Sequence, residues 1–472
     1  MEKLKMPCFR ATPLIFLIIF PLLFIGVDFF WGNTALSFHG CKFFFSSSIP
    51  ASSETSFSTG KVINKAPGDQ LGLMKFQLSR LVKSGEEDGR NLESSGFACD
   101  KSVRSVVCVA DQPVKIDTRN MTVYVSSNQT TEQETIIRPY AKQEDEVLKS
   151  ITPVRIFRQG NFMKIPPFCE YRHEIPAVVF STGSTGNVFH EISEIIIPLF
   201  ITTKQFQSRV FFILEDYKPS FMAKYGKILS HLSAFEVMNP ASNGSVHCFP
   251  GSVIGVKYND NLALNSSEIP GGYSMLDFRH LLRQSYGLRF THVSQISKPR
   301  LLLLSRTNTR RFLNENEMIL MMKELGFETI VVKRSSLASN LNKFTKMINS
   351  CSVLVGAHGA GLTNELFLPS GAVMVQVELL GTEWASNMYY GDTARAMGVH
   401  YLRYKIEPEE SSLVKLYGRN HPVITDPGYM YNNGGYRAAR TVYLDLQNLR
   451  INLVRFRETL VEALSIVTDL EK

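Results

Sequence analysis

The sequence lacks most of the signatures that would assign a chemistry at once. None of its 7 cysteines stands in a CxxC pair or beside histidines at a metal-ligand spacing. Structural disulfides are then the simpler use for the thiols. There is no G-x-S-x-G and no H-E-x-x-H, so neither the exposed-serine hydrolase turn nor the helical zinc-protease site is written into the chain. A dense basic stripe with interleaved aromatics is missing, as is zinc-finger spacing, which disfavours nucleic acid as a partner. No internal repeat appears.

What is there is an ordinary globular composition, 44% hydrophobic and 20% charged, over 472 residues. Such a length holds two domains at roughly 100–200 residues each. The net charge of +8 suits a protein that handles anions, although composition alone locates no site. Long apolar runs are scarce too, with one exception. Lys3, Lys5 and Arg10 precede an apolar stretch from Pro13 to Trp31 whose single charge is Asp28. At about 1.5 Å per helical residue that run approaches the roughly 30 Å hydrocarbon core of a bilayer. The expectation is a cytosolic tail over 1–12, a transmembrane anchor over 13–31 and a luminal remainder, since the basic flank stays cytosolic. Cleavage near Thr34-Ala35 would instead leave a soluble secretory protein. Four sequons, at Asn120, Asn128, Asn243 and Asn265, agree with a glycosylating compartment. Cys99 with Cys108 and Cys169 with Cys248 are the preferred disulfides, with the connectivity left open, and Cys351 sits in an apolar segment that suits a buried free thiol.

From Ser37 to Ser95 the chain is rich in Ser, Gly and charge and shows little sustained periodicity, so 32–98 is expected to be a luminal stem. Short runs between Cys99 and Ser150 promise a small β element. After Pro176, apolar strands alternate with amphipathic helices, the pattern of parallel α/β sheets. Strands are expected at 177–180, 210–214 and 253–258, then at 300–304, 329–332, 353–356 and 372–377. Helices are expected at 189–200, 276–286, 314–325, 337–349 and 444–467. The fold class is therefore α/β, GT-B-like: two facing Rossmann-like domains, 99–290 and 291–472, with a cleft between them at the carboxyl ends of the strands.

Three motifs fall at those ends. The run Val353-Leu354-Val355-Gly356-Ala357-His358-Gly359-Ala360-Gly361-Leu362-Thr363-Asn364 is an apolar strand entering a glycine-rich turn. Its glycines let an anion approach the backbone, and a following helix start would donate N–H groups to a diphosphate. A tight turn without a ligand is the alternative. Next, Ser305-Arg306-Thr307-Asn308-Thr309-Arg310-Arg311 crowds three guanidinium groups at a strand end, where Arg306 and Arg311, ahead of Arg310, would hold phosphate oxygens. A solvated basic loop is the competing account. Third, Ser181-Thr182-Gly183-Ser184-Thr185-Gly186-Asn187-Val188-Phe189-His190-Glu191 places His190 and Glu191 at a helix start where either would serve as a general base, unless the segment is simply a capped helix. Glu378, closing the strand after the glycine turn, is a candidate for ribose hydroxyls.

On those residues the chain resembles plant members of glycosyltransferase family 61, which includes xylan arabinosyl- and xylosyltransferases and is related to protein O-mannose N-acetylglucosaminyltransferases. The resemblance spans roughly Cys99 to Val467. It implies a GT-B fold in the Golgi and an inverting transfer from a nucleotide sugar, UDP-linked, without a bound metal or other cofactor. The absence of an Asp-x-Asp flanked by apolar strand residues points the same way. It also implies that Arg306 and the His358 to Asn364 positions, including Gly359, Ala360, Gly361 and Thr363, hold the nucleotide diphosphate, with His190 and Glu191 toward a polysaccharide or glycan acceptor. Family members often carry Asp where this chain has Glu191. The expected activity is pentosyl transfer to a cell-wall polysaccharide such as xylan, by a membrane-anchored protein for which a homo- or hetero-oligomer stays open. Transfer of N-acetylglucosamine or xylose to glycoprotein glycans, or non-catalytic sugar binding, are the alternatives. A nicotinamide oxidoreductase fits poorly, because Asn364 stands where a third glycine would be.

Overall fold

The computed structural model describes residues 67–469 apart from 83–85, 103, 127–132, 144–145, 160–165, 243 and 334–339. The expected anchor at 13–31 and the sequons at Asn128 and Asn243 lie outside the described residues. Among the described residues no helix is long and apolar enough to cross a membrane.

The first half carries eleven described strands: β1 (Phe97–Ser102), β2 (Ser105–Ala110), β3 (Val114–Asp117), β4 (Thr122–Ser126), β5 (Gln133–Ile137), β6 (Val154–Gln159), β7 (Tyr171–Arg172), β8 (Ala177–Phe180), β9 (Phe211–Leu214), β10 (Val246–Phe249) and β11 (Ser252–Ile254). They form two sheets. One runs β1-β2-β11-β8-β9, with β11, β8 and β9 parallel and the β1–β2 hairpin added antiparallel. The other runs β5-β6-β4-β3-β10-β7 and is mostly antiparallel. The period of two along β8 explains how they stack. Ala177 and Val179 face a core shared with Ile116, Val123 and Ile156 of the second sheet, whereas Val178 and Phe180 face the helices on the other side. The first half is thus a mixed sheet covered by a second sheet, and within the first only β11, β8 and the edge strand β9 follow the parallel pattern expected of a Rossmann-like half.

The second half matches that pattern fully. Strands β12 (Arg300–Ser305), β13 (Glu328–Lys333), β14 (Val353–Ala357), β15 (Val373–Glu378) and β16 (His400–Lys405) form one parallel sheet in the order β13-β12-β14-β15-β16. β14 and β15 are buried along their whole length, as central strands covered on both faces must be, which is why they read as continuous apolar runs. β16 was not anticipated. Its sequence, His-Tyr-Leu-Arg-Tyr-Lys, buries one residue of six at the sheet edge, leaving no apolar run to detect. The chain order reverses between β12 and β14, and a doubly wound sheet has its crevice at that reversal.

The stretch expected as a stem is described from Pro67 onward. That part folds: Pro67–Ser79 and Glu86–Ser95 are helices that pack on β2 and β1, burying Leu78, Leu81, Val82 and Leu92. Leu71, Leu73 and Phe76 stay exposed on the first of these, so apolar residues lie all round it and the helical period is blurred. Both preferred disulfides are present. Cys99 and Cys108 face each other across the β1–β2 pair, and Cys169 joins Cys248 of β10. Cys351 is free and buried, its thiol pushed up to about 12 by burial.

Two helices depart from the expected spans. The helix after β8 runs from Val188 to Thr203, and its middle turn, Ile192–Ile196, is wound as a π-helix. The final helix begins at Leu453, ends at Asp469, and packs beside the helix Glu315–Glu324 and against β15 and β16. It therefore completes the second half.

Candidate active site

The two glycine-containing motifs meet. The helix start Val188–Glu191 packs against the 3-10 segment Ala360–Phe367 that follows β14. Aromatic rings close the gap: Phe189 lies 5.0 Å from Tyr389 and 6.3 Å from Tyr390, and Tyr390 stands edge-on to His358 at 5.6 Å. One motif from each half thus faces the other across a short span.

The glycine turn is built around Gly359, whose φ of +145° is closed to most L side chains. A Cβ placed there would lie 2.7 Å from Arg310 Nη1 and 3.2 Å from Arg306 Nη1. Two guanidinium groups therefore converge on one glycine at the ends of β12 and β14, the point where strand order reverses. Arg310 Nη1 donates to the His358 carbonyl at 3.1 Å, and Arg306 Nε to the Thr309 carbonyl at 2.9 Å. Burial pushes the Arg310 guanidinium down from its ordinary value, the mark of a cation poorly compensated by protein alone. Arg310 itself has φ +59°, and its backbone N–H is held by the Gln447 carbonyl at 2.8 Å. Arg311, by contrast, is exposed, and its backbone is tied to Asn448 and Leu449. Of the two, Arg310 and not Arg311 reaches the glycine turn, whereas the sequence put Arg311 first.

His358 is buried at 5% exposure. Its Nδ1 lies 2.9 Å from Gln376 Nε2, and the Gln376 carbonyl oxygen accepts from Tyr401 at 3.2 Å. That network makes Gln376 the donor, so the proton of the neutral ring sits on Nε2. Burial, then Arg310 and Arg306, lowers His358 to about 3. It is a neutral donor beside two cations. Ala360 and Gly361 are the half-exposed part of the turn, whereas Thr363 and Asn364 are buried. Asn364 Nδ2 donates to the Gly361 carbonyl at 2.8 Å and braces the turn from within. Glu378 is closed off from solvent, with Oε2 3.4 Å from Arg403 Nη1 on β16. A ribose contact there would require that pair to open.

Opposite this turn, Asn187 caps the helix by accepting from Phe189 N at 3.0 Å. Glu191 does not stand free. Gly186 N–H donates to Oε1 at 3.0 Å, Tyr225 O–H to Oε2 at 2.8 Å, and Lys224 pairs with the same oxygen. Both carboxylate oxygens are thus committed to holding the turn against the helix Pro219–Leu232. His190 is different: its side chain is 34% exposed, and Nδ1 lies 2.8 Å from Oε1 of Glu194, whose own side chain is fully buried. Tyr140 O–H donates to the other Glu194 oxygen, and Lys142 lies 3.6 Å away. Burial alone would raise Glu194, but His190, Tyr140 and Lys142 outweigh it and hold the carboxyl below its ordinary value. An ionised carboxylate on Nδ1 leaves Nε2 as the working nitrogen of the imidazole. Gly183, at φ +48°, makes room for this arrangement, since a Cβ there would meet the Tyr140 ring at 2.5 Å.

Sequence reasoning missed Glu194, Tyr140, Arg310 as the loop-facing arginine, and Gln376. Glu194 had a signal, its i, i+4 spacing from His190. Gln376 had another, a polar residue inside an apolar strand. Tyr140, 54 residues from its partner, had none.

In one half, then, two arginines converge on a glycine turn where strand order reverses, and from the other half a histidine–carboxylate pair sits on the helix that packs against that turn. The family model described as Glycosyltransferase 61 matches residues 188–375, which contain the arginine motif, the glycine turn and His190, Glu191 and Glu194. The chain is 34% identical over 396 residues to an alpha-1,3-arabinosyltransferase, XAT3, of Oryza sativa subsp. japonica, covering 81% of this chain and 68% of that protein. It is 32% identical over 412 residues to the xylan glycosyltransferase MUCI21 of Arabidopsis thaliana, covering 82% and 83%. To the rice beta-1,2-xylosyltransferase XAX1 it is 34% identical over 375 residues, 76% of this chain and 65% of that one. The chain belongs to glycosyltransferase family 61.

Proposed function

We propose that the protein is an inverting glycosyltransferase of GT-B-like build that moves a pentose, xylose or arabinofuranose, from a UDP-sugar to xylan. The convergence of Arg306 and Arg310 on Gly359 is the observation that carries the donor assignment. Two like charges brought to one point, one of them partly desolvated, are stabilised by an anion between them, and a nucleoside diphosphate supplies it. The names of the similar proteins support the pentose and the xylan.

In the step itself, His190 Nε2 takes the proton of an acceptor hydroxyl while the oxygen forms a bond to the anomeric carbon. The bond from that carbon to the diphosphate oxygen breaks on the opposite face, which inverts the centre. The electron pair leaves on the diphosphate, where Arg306, Arg310, the Nε2–H of His358 and the backbone around Gly359 meet the charge. Glu194 fixes the imidazole and steadies the imidazolium; Glu191 keeps the helix start in place. The arginines supply the charge that a divalent metal supplies elsewhere, so the reading needs no metal. The apolar run at 13–31 and the sequons support a type II anchor with the rest of the chain in the Golgi lumen.

Arg306→Ala is expected to lower turnover by ~10²–10³ and to weaken UDP binding measured by calorimetry. Wild-type turnover in that variant would overturn the donor assignment.

A further inference from the structure

Further along the helix that carries the histidine–carboxylate pair lies a cavity that none of the above assigns. It has a volume of about 660 Å³, within the range of roughly 300–1,000 Å³ usual for ligand sites. Ile201 forms part of its wall and belongs to the same continuous helix as His190 and Glu194, ~16 Å beyond the histidine and ~10 Å beyond the glutamate at about 1.5 Å per residue. The opposing segment is pinned to that helix, because Lys257 N–H donates to Thr202 Oγ1 at 2.9 Å. Tyr258 lines the cavity too, its phenol pushed up by burial and then by the Glu194 and Asp260 charges.

The chemistry of the lining selects the ligand. Its two cations are already neutralised, Lys257 by Asp100 at 2.8 Å and Arg104 by Asp260 at 3.5 Å. The remaining carboxylate, Glu268, accepts from Asn259 Nδ2 at 3.1 Å and, where the Asn265 sequon carries no glycan, from Asn265 Nδ2 at 2.7 Å. Three acids against two bases leave no excess positive charge to attract an anion, and an anionic group would have to break an ion pair to bind. Hydroxyl groups, each donor and acceptor, can bridge such pairs without breaking them.

We infer that this cavity is the subsite for the acceptor chain, that it takes an uncharged stretch of polysaccharide, and that it rejects units bearing a uronate. The inference rests on the glycosyl-transfer reading for its choice of ligand. A chain of pyranose rings seated in the cavity reaches His190 Nε2 by continuing ~16 Å back along the helix.

The test is calorimetric binding of a neutral xylo-oligosaccharide to the full chain without any donor present, so that the donor assignment does not enter. Wild type is expected to bind it and to bind a glucuronate-bearing oligosaccharide of the same length more weakly. Asp260→Ala is expected to raise Kd for the neutral ligand about tenfold, the loss of one to two hydrogen bonds, and Asp260→Lys to narrow the gap between the two ligands. Asp260 and Arg104 are exposed, so both variants should fold, which melting curves check. An unchanged Kd in Asp260→Ala, or a wild type that prefers the acidic ligand, overturns the subsite. A wild type that binds the neutral chain, is weakened by Asp260→Ala and yet transfers nothing from UDP-sugars would count against the donor reading alone.

Discussion

At the scale of single residues, two neighbouring glutamates on one helix carry opposite duties, and they are separable by measurement. Glu194→Gln removes the charge on His190 Nδ1 and should lower kcat by ~10² or more, the size of a general-base contribution, with melting temperature little changed. Glu191→Gln leaves Lys224 without its partner and should cost about 2 kcal/mol of stability, toward the lower side for a pair whose lysine is 27% exposed. Its effect on kcat should be smaller than that of Glu194→Gln. The reverse ranking of the two turnovers would return the base assignment to Glu191. A third carboxyl, Glu365 behind the glycine turn, is fully buried and raised well above its ordinary value by that burial. A raised folded-state value means the folded protein holds a proton that the unfolded chain, with a value of about 4.3, releases. The stability contribution is then full below about pH 4 and is lost as pH rises from there toward the folded-state value. Glu365→Gln should flatten that loss, so its melting temperature relative to wild type rises between pH 5 and pH 7.5. A constant difference across that range would show the carboxyl to be ionised in the fold.

Elements explain why some of this was legible beforehand. Leu301 to Leu304, Val353 to Val355 and Val373 to Val377 announce central parallel strands because such strands are buried on both faces, and Gly359 announces a turn that a side chain would obstruct. The site therefore shows itself at β12 and β14, where backbone constraints are local. It is hidden where partners are distant: Tyr140 and Lys224 reach the helix start from 54 and 33 residues away, and nothing in their own neighbourhoods marks them. Arg310 was ranked below Arg311 because spacing alone cannot reveal a positive φ at a non-glycine residue. The turn can be tested directly. Gly359→Ala combines a strained φ, costing ~1–3 kcal/mol, with a clash against Arg310 Nη1, and should weaken UDP binding at least tenfold. Unaltered UDP affinity would mean that the arginines do not need the glycine's space.

Across the whole molecule, the halves differ in how they are secured. The second is a single parallel sheet with its helices and needs no crosslink; Cys351 within it stays reduced and buried. The first stacks two sheets, and each carries a disulfide. Cys169–Cys248 spans 79 residues and Cys99–Cys108 spans 9, so loop-closure entropy assigns the longer link ~4 kcal/mol and the shorter one ~2–3 kcal/mol. Replacing each pair by serine should lower the unfolding midpoint in that order, measured on protein from an oxidising host; equal losses would make the contribution local packing and not loop closure. The expected stem is the place where whole-molecule packing overrode local appearance, since the helix Pro67–Ser79 has no clean apolar face yet packs over β2 of the first sheet with Met74 and Leu78 buried.

The π-wound turn at Ile192–Ile196 has a consequence for how this active site can change. A π turn carries one residue more than the regular helix it interrupts, and each residue of an α-helix turns the chain by about 100°. Losing one residue there would leave a more regular helix while swinging everything before it, His190 and Phe189 included, about a quarter-turn away from the glycine loop. Insertions and deletions, elsewhere tolerated at loops, are thus coupled here to catalysis through a helix interior, and the reach of the histidine is set by a residue count as much as by any side chain.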